Sequence, residues 1–176
     1  MISQKTLPKE WIIVDDGSMD STGELVEKHA ARHSWIKVVH RRNRGFRKPV
    51  GGVIEAFNDG YSSIGIPSWD FIVKLDGDLC FDQYYFEKCF ERFAQDPDLG
   101  IGGAVYVYKD GQLALEYEGD PAFHVRGATK IYRRSCWEKI ALLIESPGWD
   151  TVDEVKANMV GWTTRTFPDL RVIHLK

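Results

Sequence analysis

Asp76-Gly77-Asp78 closes the apolar run Phe71-Ile72-Val73-Lys74-Leu75. Two carboxylates one residue apart, at the carboxyl end of a buried strand, suit a hard divalent cation. Mg²⁺ and Mn²⁺ prefer oxygen ligands, and Mg²⁺ takes few protein carboxylates while substrate phosphates complete its shell. Gly77 between them lets the backbone turn without a side chain in the ligand's way. An ordinary surface Asp-Gly turn is the competing explanation. A second acidic strand end, Ile12-Ile13-Val14-Asp15-Asp16-Gly17-Ser18, weighs against it. Open α/β sheets gather ligands outside the carboxyl ends of their strands, so two such ends predict one shared crevice.

The elements that would carry these ends alternate along the chain. Trp11–Val14 reads as a strand, and residues 20–33 as a helix with Leu25, Val26, His29, Ala30 and His33 on one stripe. Asp20 or Ser21 could cap it, with Glu24 placed as in a capping box. Ile36–His40 is a second strand. The loop Arg41, Arg42, Arg44, Gly45, Phe46, Arg47, Lys48 follows, and then a helix with Gly51-Gly52 in its first turn, a place suited to an anion. A solvated loop is the ordinary reading of such a charge run. Trp69–Leu75 is a third strand. A helix from Asp82 sets Phe86, Cys89, Phe90 and Phe93 on one side. Gly100–Tyr108 is a fourth strand, residues 109–125 a loop or hairpin, 134–144 and 150–159 helices, and Arg171–Leu175 a last strand. This alternation predicts a single domain over residues 1–176, α/β in class, with three layers and a mostly parallel sheet.

Composition narrows the function classes. The chain has 176 residues, 43% apolar and 28% charged, which is ordinary for one globular domain. A net charge of −3 gives no field favouring nucleic acid. Cys80, Cys89 and Cys136 are odd in number and lack a C-x-x-C spacing, which argues against a disulfide framework or zinc site and for a reducing, cytoplasmic setting. The opening residues show no signal peptide, and no apolar run reaches the ~18 residues of a membrane span.

Four ordered pieces resemble the GT-A fold nucleotide-sugar glycosyltransferases, most closely the inverting family 2: Ile12–Thr22 (IIVDDGSMDST), Trp69–Asp78 (WDFIVKLDGD), Arg126–Arg134 (RGATKIYRR) and Gly148–Gly161 (GWDTVDEVKANMVG). The resemblance implies metal-dependent transfer of a sugar from a nucleoside diphosphate-sugar donor (UDP, GDP or dTDP type) to a hydroxyl of a polysaccharide, lipid or protein acceptor, with inversion. It implies that Asp15 and Asp16 hold the base and ribose, and that Arg47 and Lys48 contact the nucleotide. Asp76 and Asp78 would hold Mn²⁺ or Mg²⁺ at the diphosphate, with His174 a late ligand and Asp76 also near the ribose. Arg126 and Gly127 would lie beside the donor sugar. The general base would come from a helix-start acidic motif followed by a glycine. The usual adjacent Glu-Asp pair is missing here, which leaves Asp150, Asp153 and Glu154 open, with register favouring Asp150 because Gly161 follows at the family's spacing.

Family members begin with a strand and helix ahead of the segment matching Lys5–Val14. Some two dozen or more residues, about one strand–helix unit, are therefore expected to be absent at the start. A truncated relative that binds nucleotide without transfer is the alternative function. Loss of a central strand would expose an edge, which predicts self-association, and the acceptor chemistry allows a peripheral position at a membrane.

Overall fold

A computed structural model describes residues 1–46, 48, 51–108 and 119–175. They form two compact units. One comprises Pro8–Trp69 and Leu142–Trp149, the other Met1–Leu7, Asp70–Ala141 and Asp150–Lys176.

In the first unit the β-branched and aromatic run Trp11–Asp15 is strand β1. It pairs in parallel with β2, Ile36–His40, in the register Trp11↔Ile36 to Asp15↔His40. Helix α1, Thr22–Ala30, connects them, and α2, Gly51–Ser62, follows. Helix α2 lies close on β1, since a Cβ at Gly60 would come within 2.9 Å of a Val14 methyl. The expected cap is partly realised: Thr22 N–H donates to Asp20 Oδ1 at 3.0 Å. Ser21 makes no side-chain cap bond, so the capping box with Glu24 does not form. The stripe on α1 buries no residue fully, and Leu25 stays 56% exposed.

The second unit is built on a five-stranded sheet. Its elements are β3 (Phe71–Leu75), β4 (Leu79–Cys80), α3 (Tyr85–Gln95), β5 (Leu99–Val107), β6 (Thr129–Arg133), α4 (Arg134–Ile140), α5 (Trp149–Met159) and β7 (Thr163–His174). The strand order is β3-β6-β5-β7-β4. Only β5 and β7 pair in parallel; β3–β6, β5–β6 and β4–β7 are antiparallel. The α/β class stands, but the sheet is mixed rather than mostly parallel. The antiparallel members β4 and β6 are short and follow turns, so strand–helix alternation does not reveal them.

The core lies between this sheet and α3. Tyr85, Phe86, Cys89 and Phe93 meet Leu99, Ala104, Ile131, Phe167 and Val172, all nearly solvent-free. Phe90 packs at the margin, its ring 4.9 Å from Phe71. Each large side chain so buried contributes about 1.5–3 kcal/mol. Aromatic bulk forces the opposing strand to be small: a Cβ at Gly102 would stand 2.6 Å from Phe167 Cζ and 3.1 Å from Phe93 Cζ. Strand β7 starts well before the Arg171 expected for it. Its register with β5 jumps from Ala104↔Phe167 to Val105↔Arg171, so Pro168 falls in a bulge where its missing N–H costs no ladder bond.

Candidate active site

Chain topology brings the second acidic turn of the sequence together with the end of the last strand. Strand β4 follows the Asp76-Gly77-Asp78 turn directly and pairs with β7 in the register Leu79↔His174. Leu175 N–H donates to the Asp78 carbonyl at 2.9 Å, and His174 Nε2 lies 3.2 Å from Asp78 Oδ2. Asp78 is half-buried and His174 is 7% exposed, its ring 5.6 Å from that of Tyr106. Asp76 N–H donates to the Ala128 carbonyl, and Ala128 N–H to the Tyr106 hydroxyl at 2.6 Å. The Asp76 carboxylate accepts a hydrogen bond from Lys74 Nζ, a side chain 4% exposed. Gly77 is not in the left-handed region, and a Cβ there would meet nothing within 4 Å. The turn is therefore open to a ligand, but it does not depend on glycine.

Those residues fit a divalent ion in a particular way. Asp78 Oδ2 and His174 Nε2 lie within hydrogen-bond distance of each other, and Asp76 stands on the same turn. No three His, Cys, Asp or Glu side chains converge as a complete cage among the described residues. Such a site leaves positions for the oxygen ligands that Mn²⁺ and Mg²⁺ both favour.

Arg126 and Gly127 sit in the turn before β6. Arg126 is held by Asp120 through Nε at 2.7 Å and Nη2 at 3.0 Å. Helix α5 presents the three acidic candidates differently. Lys130, on β6 and fully buried, donates to Asp153 Oδ1 at 2.8 Å, to Glu154 Oε1 at 2.9 Å and to the Asp150 carbonyl. Tyr132 OH donates to Asp153 Oδ2 at 2.5 Å. Val125 N–H donates to Glu154 Oε1 at 2.7 Å, and His124 Nδ1 lies 3.0 Å from Oε2. Burial first, then the Asp153 charge, hold the Tyr132 hydroxyl well above its ordinary range. Asp153 and Glu154 are 3% and 1% exposed, so both are committed to this interior cluster. Asp150 is half-buried in the first turn of α5, and its carboxylate accepts no hydrogen bond from the described residues. His124 thus serves the cluster, Trp149 is buried, and Trp162 lies under Lys139 at 5.6 Å.

In the β1–β2 unit, the Asp15–Ser18 turn is tightly made. Asp15 is 8% exposed and accepts from Ser18 N–H at 2.9 Å, with His40 Nδ1 at 3.1 Å from its other oxygen. Hydrogen bonds from Ser18 first, then His40, hold its carboxyl below the usual range. Gly17 has φ 81°, and a Cβ there would collide with Asn43 backbone at 2.5 Å, so glycine is required. Asp16 is bridged by two arginines, Arg41 Nη1 to Oδ1 at 2.5 Å and Arg44 Nη2 to Oδ2 at 2.6 Å. Both arginines also reach Glu55, and Arg41 reaches Asp59 at 2.6 Å. Lys48 pairs with Glu55 and stands 3.7 Å from Glu145. Arg41, Arg44 and Lys48 thus join one ion network, and Arg44 and Lys48 lie against the first turn of α2 at Gly52 and Gly51. Arg47 lies outside the described residues. The sequence did not single out Lys74, Lys130, Glu55 or Tyr132. Lys74 and Lys130 interrupt apolar strands, and that was the available signal.

Residues 1–146 match the family model described as glycosyl transferase family 2. EpsH of Bacillus subtilis (strain 168) is 28% identical over 146 residues, covering 73% of this chain and 40% of that protein. The poly-beta-1,6-N-acetyl-D-glucosamine synthase of Staphylococcus aureus (strain COL) is 35% identical over 100 residues, 57% of this chain and 22% of the synthase. The chain thus spans less than half the length of these curated relatives. Among solved structures, the mannosyltransferase PcManGT from Pyrobaculum calidifontis, in complex with GDP-Man and Mn²⁺, superposes with TM-score 0.74 at 19% identity, covering 99% of this chain and 50% of that one. S. aureus TarS gives 0.71 at 17% identity over 99% of this chain and 32% of its own. These likenesses establish the GT-A fold.

Proposed function

The chain belongs to glycosyl transferase family 2, and from that membership we propose that residues 1–176 act as one catalytic domain that moves a sugar from a nucleoside diphosphate-sugar to an acceptor hydroxyl with inversion. The observation that carries the reading is the 3.2 Å approach of His174 to Asp78 beside Asp76. Asp78 and His174, with Asp76 on the same turn, would hold Mn²⁺ or Mg²⁺. A divalent ion held there would neutralise negative charge on the departing nucleoside diphosphate.

The remaining roles follow from the side chains themselves. Asp16, fixed by Arg41 and Arg44, keeps lone pairs that can accept from an imide N–H or a ribose hydroxyl. Asp15 makes the turn that presents it. Arg126 and Gly127 stand on the Asp76 side, bonded through Ala128 to the acidic turn, and would flank the donor sugar. Asp150 takes the proton from the acceptor hydroxyl as that oxygen attacks the anomeric carbon and the bond to the diphosphate breaks. Asp153 and Glu154 hold the helix that carries it. The free cysteines, two of them buried thiols pushed up to about 12 by burial, fit a reducing cytoplasmic setting. No helix among the described residues is long and apolar enough to cross a membrane. The acceptor would be a polysaccharide, lipid or protein hydroxyl.

Calorimetric titration with UDP, GDP and dTDP, with and without Mn²⁺, identifies the nucleotide. Transfer assays with the matching donors then test the chemistry. Asp150→Asn is expected to lower kcat by about 10²–10⁴ while nucleotide affinity stays unchanged. Wild-type turnover in that variant would remove Asp150 from the mechanism. Metal-dependent nucleotide binding with no transfer by the wild-type chain would mark it as a nucleotide-binding relative instead.

A further inference from the structure

The loop before β6 is bonded from several sides. Thr166 N–H donates to the Ala122 carbonyl at 2.9 Å, and the Thr164 and Thr166 hydroxyls donate to the carbonyls of Phe123 and His124. Val125 N–H donates to Glu154 Oε1 at 2.7 Å, and Arg126 is held by Asp120. On this fixed backbone His124 turns Nδ1 to Glu154 Oε2 at 3.0 Å. Lys130 pairs with the Glu154 carboxylate, and a carboxylate can only accept, so Nδ1 carries the proton of this bond. The other ring nitrogen, Nε2, takes no hydrogen bond from the described residues. It is not one of the buried polar atoms without a partner among them either, so it meets solvent. The Glu154 side chain is 2% exposed and that of His124 13%, which fits a ring anchored inside with its far edge open.

We propose that His124 Nε2 binds a hydroxyl of the sugar being transferred, so that the His124–Glu154 pair selects among donors. The proposal rests on the reading of Arg126 and Gly127 as the residues beside the donor sugar. His124 stands two residues before Arg126 on the same bonded loop. Glu154 is one turn along α5 from Asp150, and residues four apart share a helix face. The pair therefore joins the loop assigned to the donor sugar to the helix face assigned to proton transfer. A hydroxyl suits the position chemically. It both donates and accepts, so it can pair with Nε2 whether the ring is neutral or protonated. An anion such as a phosphate suits it less, because the carboxylates of Asp153 and Glu154 stand together behind the ring with the ammonium of Lys130. His124 touches the sugar in this account, and Glu154 is a positioning residue that acts through it.

Nitrogen-15 NMR of the histidine-labelled chain reads the ring directly, with Mg²⁺ present and no acceptor. The chain has 5 histidines, and the His124 signals are the ones lost in His124→Asn or His124→Gln. The neutral ring is expected to carry its proton on Nδ1. Its Nε2 resonance should move when GDP-mannose, UDP-N-acetylglucosamine or dTDP-glucose binds, and stay in place with the matching nucleoside diphosphate alone. Calorimetry gives a second readout. In His124→Asn the amide can still donate to Glu154 from the place of Nδ1, but nothing occupies the place of Nε2. Affinity for the nucleotide-sugar should fall about tenfold, while affinity for the bare nucleoside diphosphate and the melting temperature stay near wild type. Should that variant not fold, the wild-type resonances carry the test. A neutral ring protonated on Nε2, an Nε2 resonance indifferent to the sugar, or wild-type nucleotide-sugar affinity in His124→Asn overturns the proposal and leaves the donor reading standing. An equal loss of nucleotide and nucleotide-sugar affinity in His124→Asn also overturns it, because the ring would then only prop the loop. Failure of the wild-type chain to bind any of these compounds overturns the donor reading and this proposal with it.

Discussion

His174 Nε2 stands 3.2 Å from Asp78 Oδ2, although 96 residues separate the two in the chain. The two-residue strand β4 produces this meeting, because its pairing with β7 places Leu79 opposite His174. The imidazole therefore arrives on a sheet register rather than on a mobile tail, and its position is fixed by backbone hydrogen bonds.

His174→Ala is expected to weaken Mn²⁺ binding in the presence of nucleotide by at least about tenfold, or 1.4 kcal/mol. Removing the ring also vacates a buried position against Tyr106, so some thermal stability is lost as well. The two effects separate in the measurement. A lowered melting temperature with unchanged Mn²⁺ affinity would assign His174 to packing alone.

Asp150 and Asp153 are three residues apart on α5 and should respond oppositely to the same change. Asp153 is buried against Lys130 and Tyr132, and removing one member of a buried ion pair costs about 3–5 kcal/mol. Asp153→Asn should therefore lower the melting temperature by roughly 10 °C. Asp150→Asn should leave it within a degree or two, while transfer falls. Scanning calorimetry beside the transfer assay checks both. Equal melting temperatures for the two variants would show that the Lys130 cluster does not hold α5.

This contrast also marks how far the sequence could be read. Strand ends at Asp15 and Asp76, the aromatic face of α3 and the helix start at Asp150 were legible because period and turn chemistry are local signals. Strands β4 and β6 were not, since two and five residues after a turn carry no period of their own. What separates Asp153 and Glu154 from Asp150 is a partner on another element, since Lys130 pairs with the first two carboxylates. The charge of the basic loop was legible but its partners were not: Arg41, Arg44 and Lys48 pair with Asp16, Glu55, Asp59 and Glu145, and only the folded chain brings these together.

The same ion network sets a pH dependence. Glu55 is held down at about 2 against an ordinary 4.5, first by the hydrogen bond from Lys48, then by Arg41 and the charges of Lys48 and Arg44. A depressed carboxylate contributes stability that is full above 4.5 and is lost as pH falls from there toward 2. His40 acts in the opposite sense. Hydrogen bonds to Glu27 first and Asp15 second raise it above 6.5, so its contribution is full below 6.5 and is lost as pH rises through the raised value. The β1–β2 unit should thus resist unfolding best between pH 4.5 and 6.5. Melting curves across pH for wild type, Glu55→Gln and His40→Asn test this. The glutamine variant should lose the acid slope and the asparagine variant the slope on the alkaline side. High salt should shrink both, because these groups face solvent.

Two glycines give the last contrast. Gly102 lies under Phe167 and Phe93, where a Cβ would meet carbon at 2.6 and 3.1 Å. Both rings are locked in a core cluster, so they cannot swing aside, and overpacking such a site costs about 1–3 kcal/mol. Gly102→Ala should therefore lower the melting temperature by roughly 3–10 °C. Gly77→Ala adds the same methyl group at the acidic turn, where nothing stands within 4 Å and φ is ordinary. It should change stability by less than about 0.5 kcal/mol and leave Mn²⁺ binding intact. Loss of Mn²⁺ binding in Gly77→Ala at unchanged stability would mean that the turn must take another backbone conformation to bind the ion, and the geometry of Asp76 and Asp78 would then have to be read from that bound form.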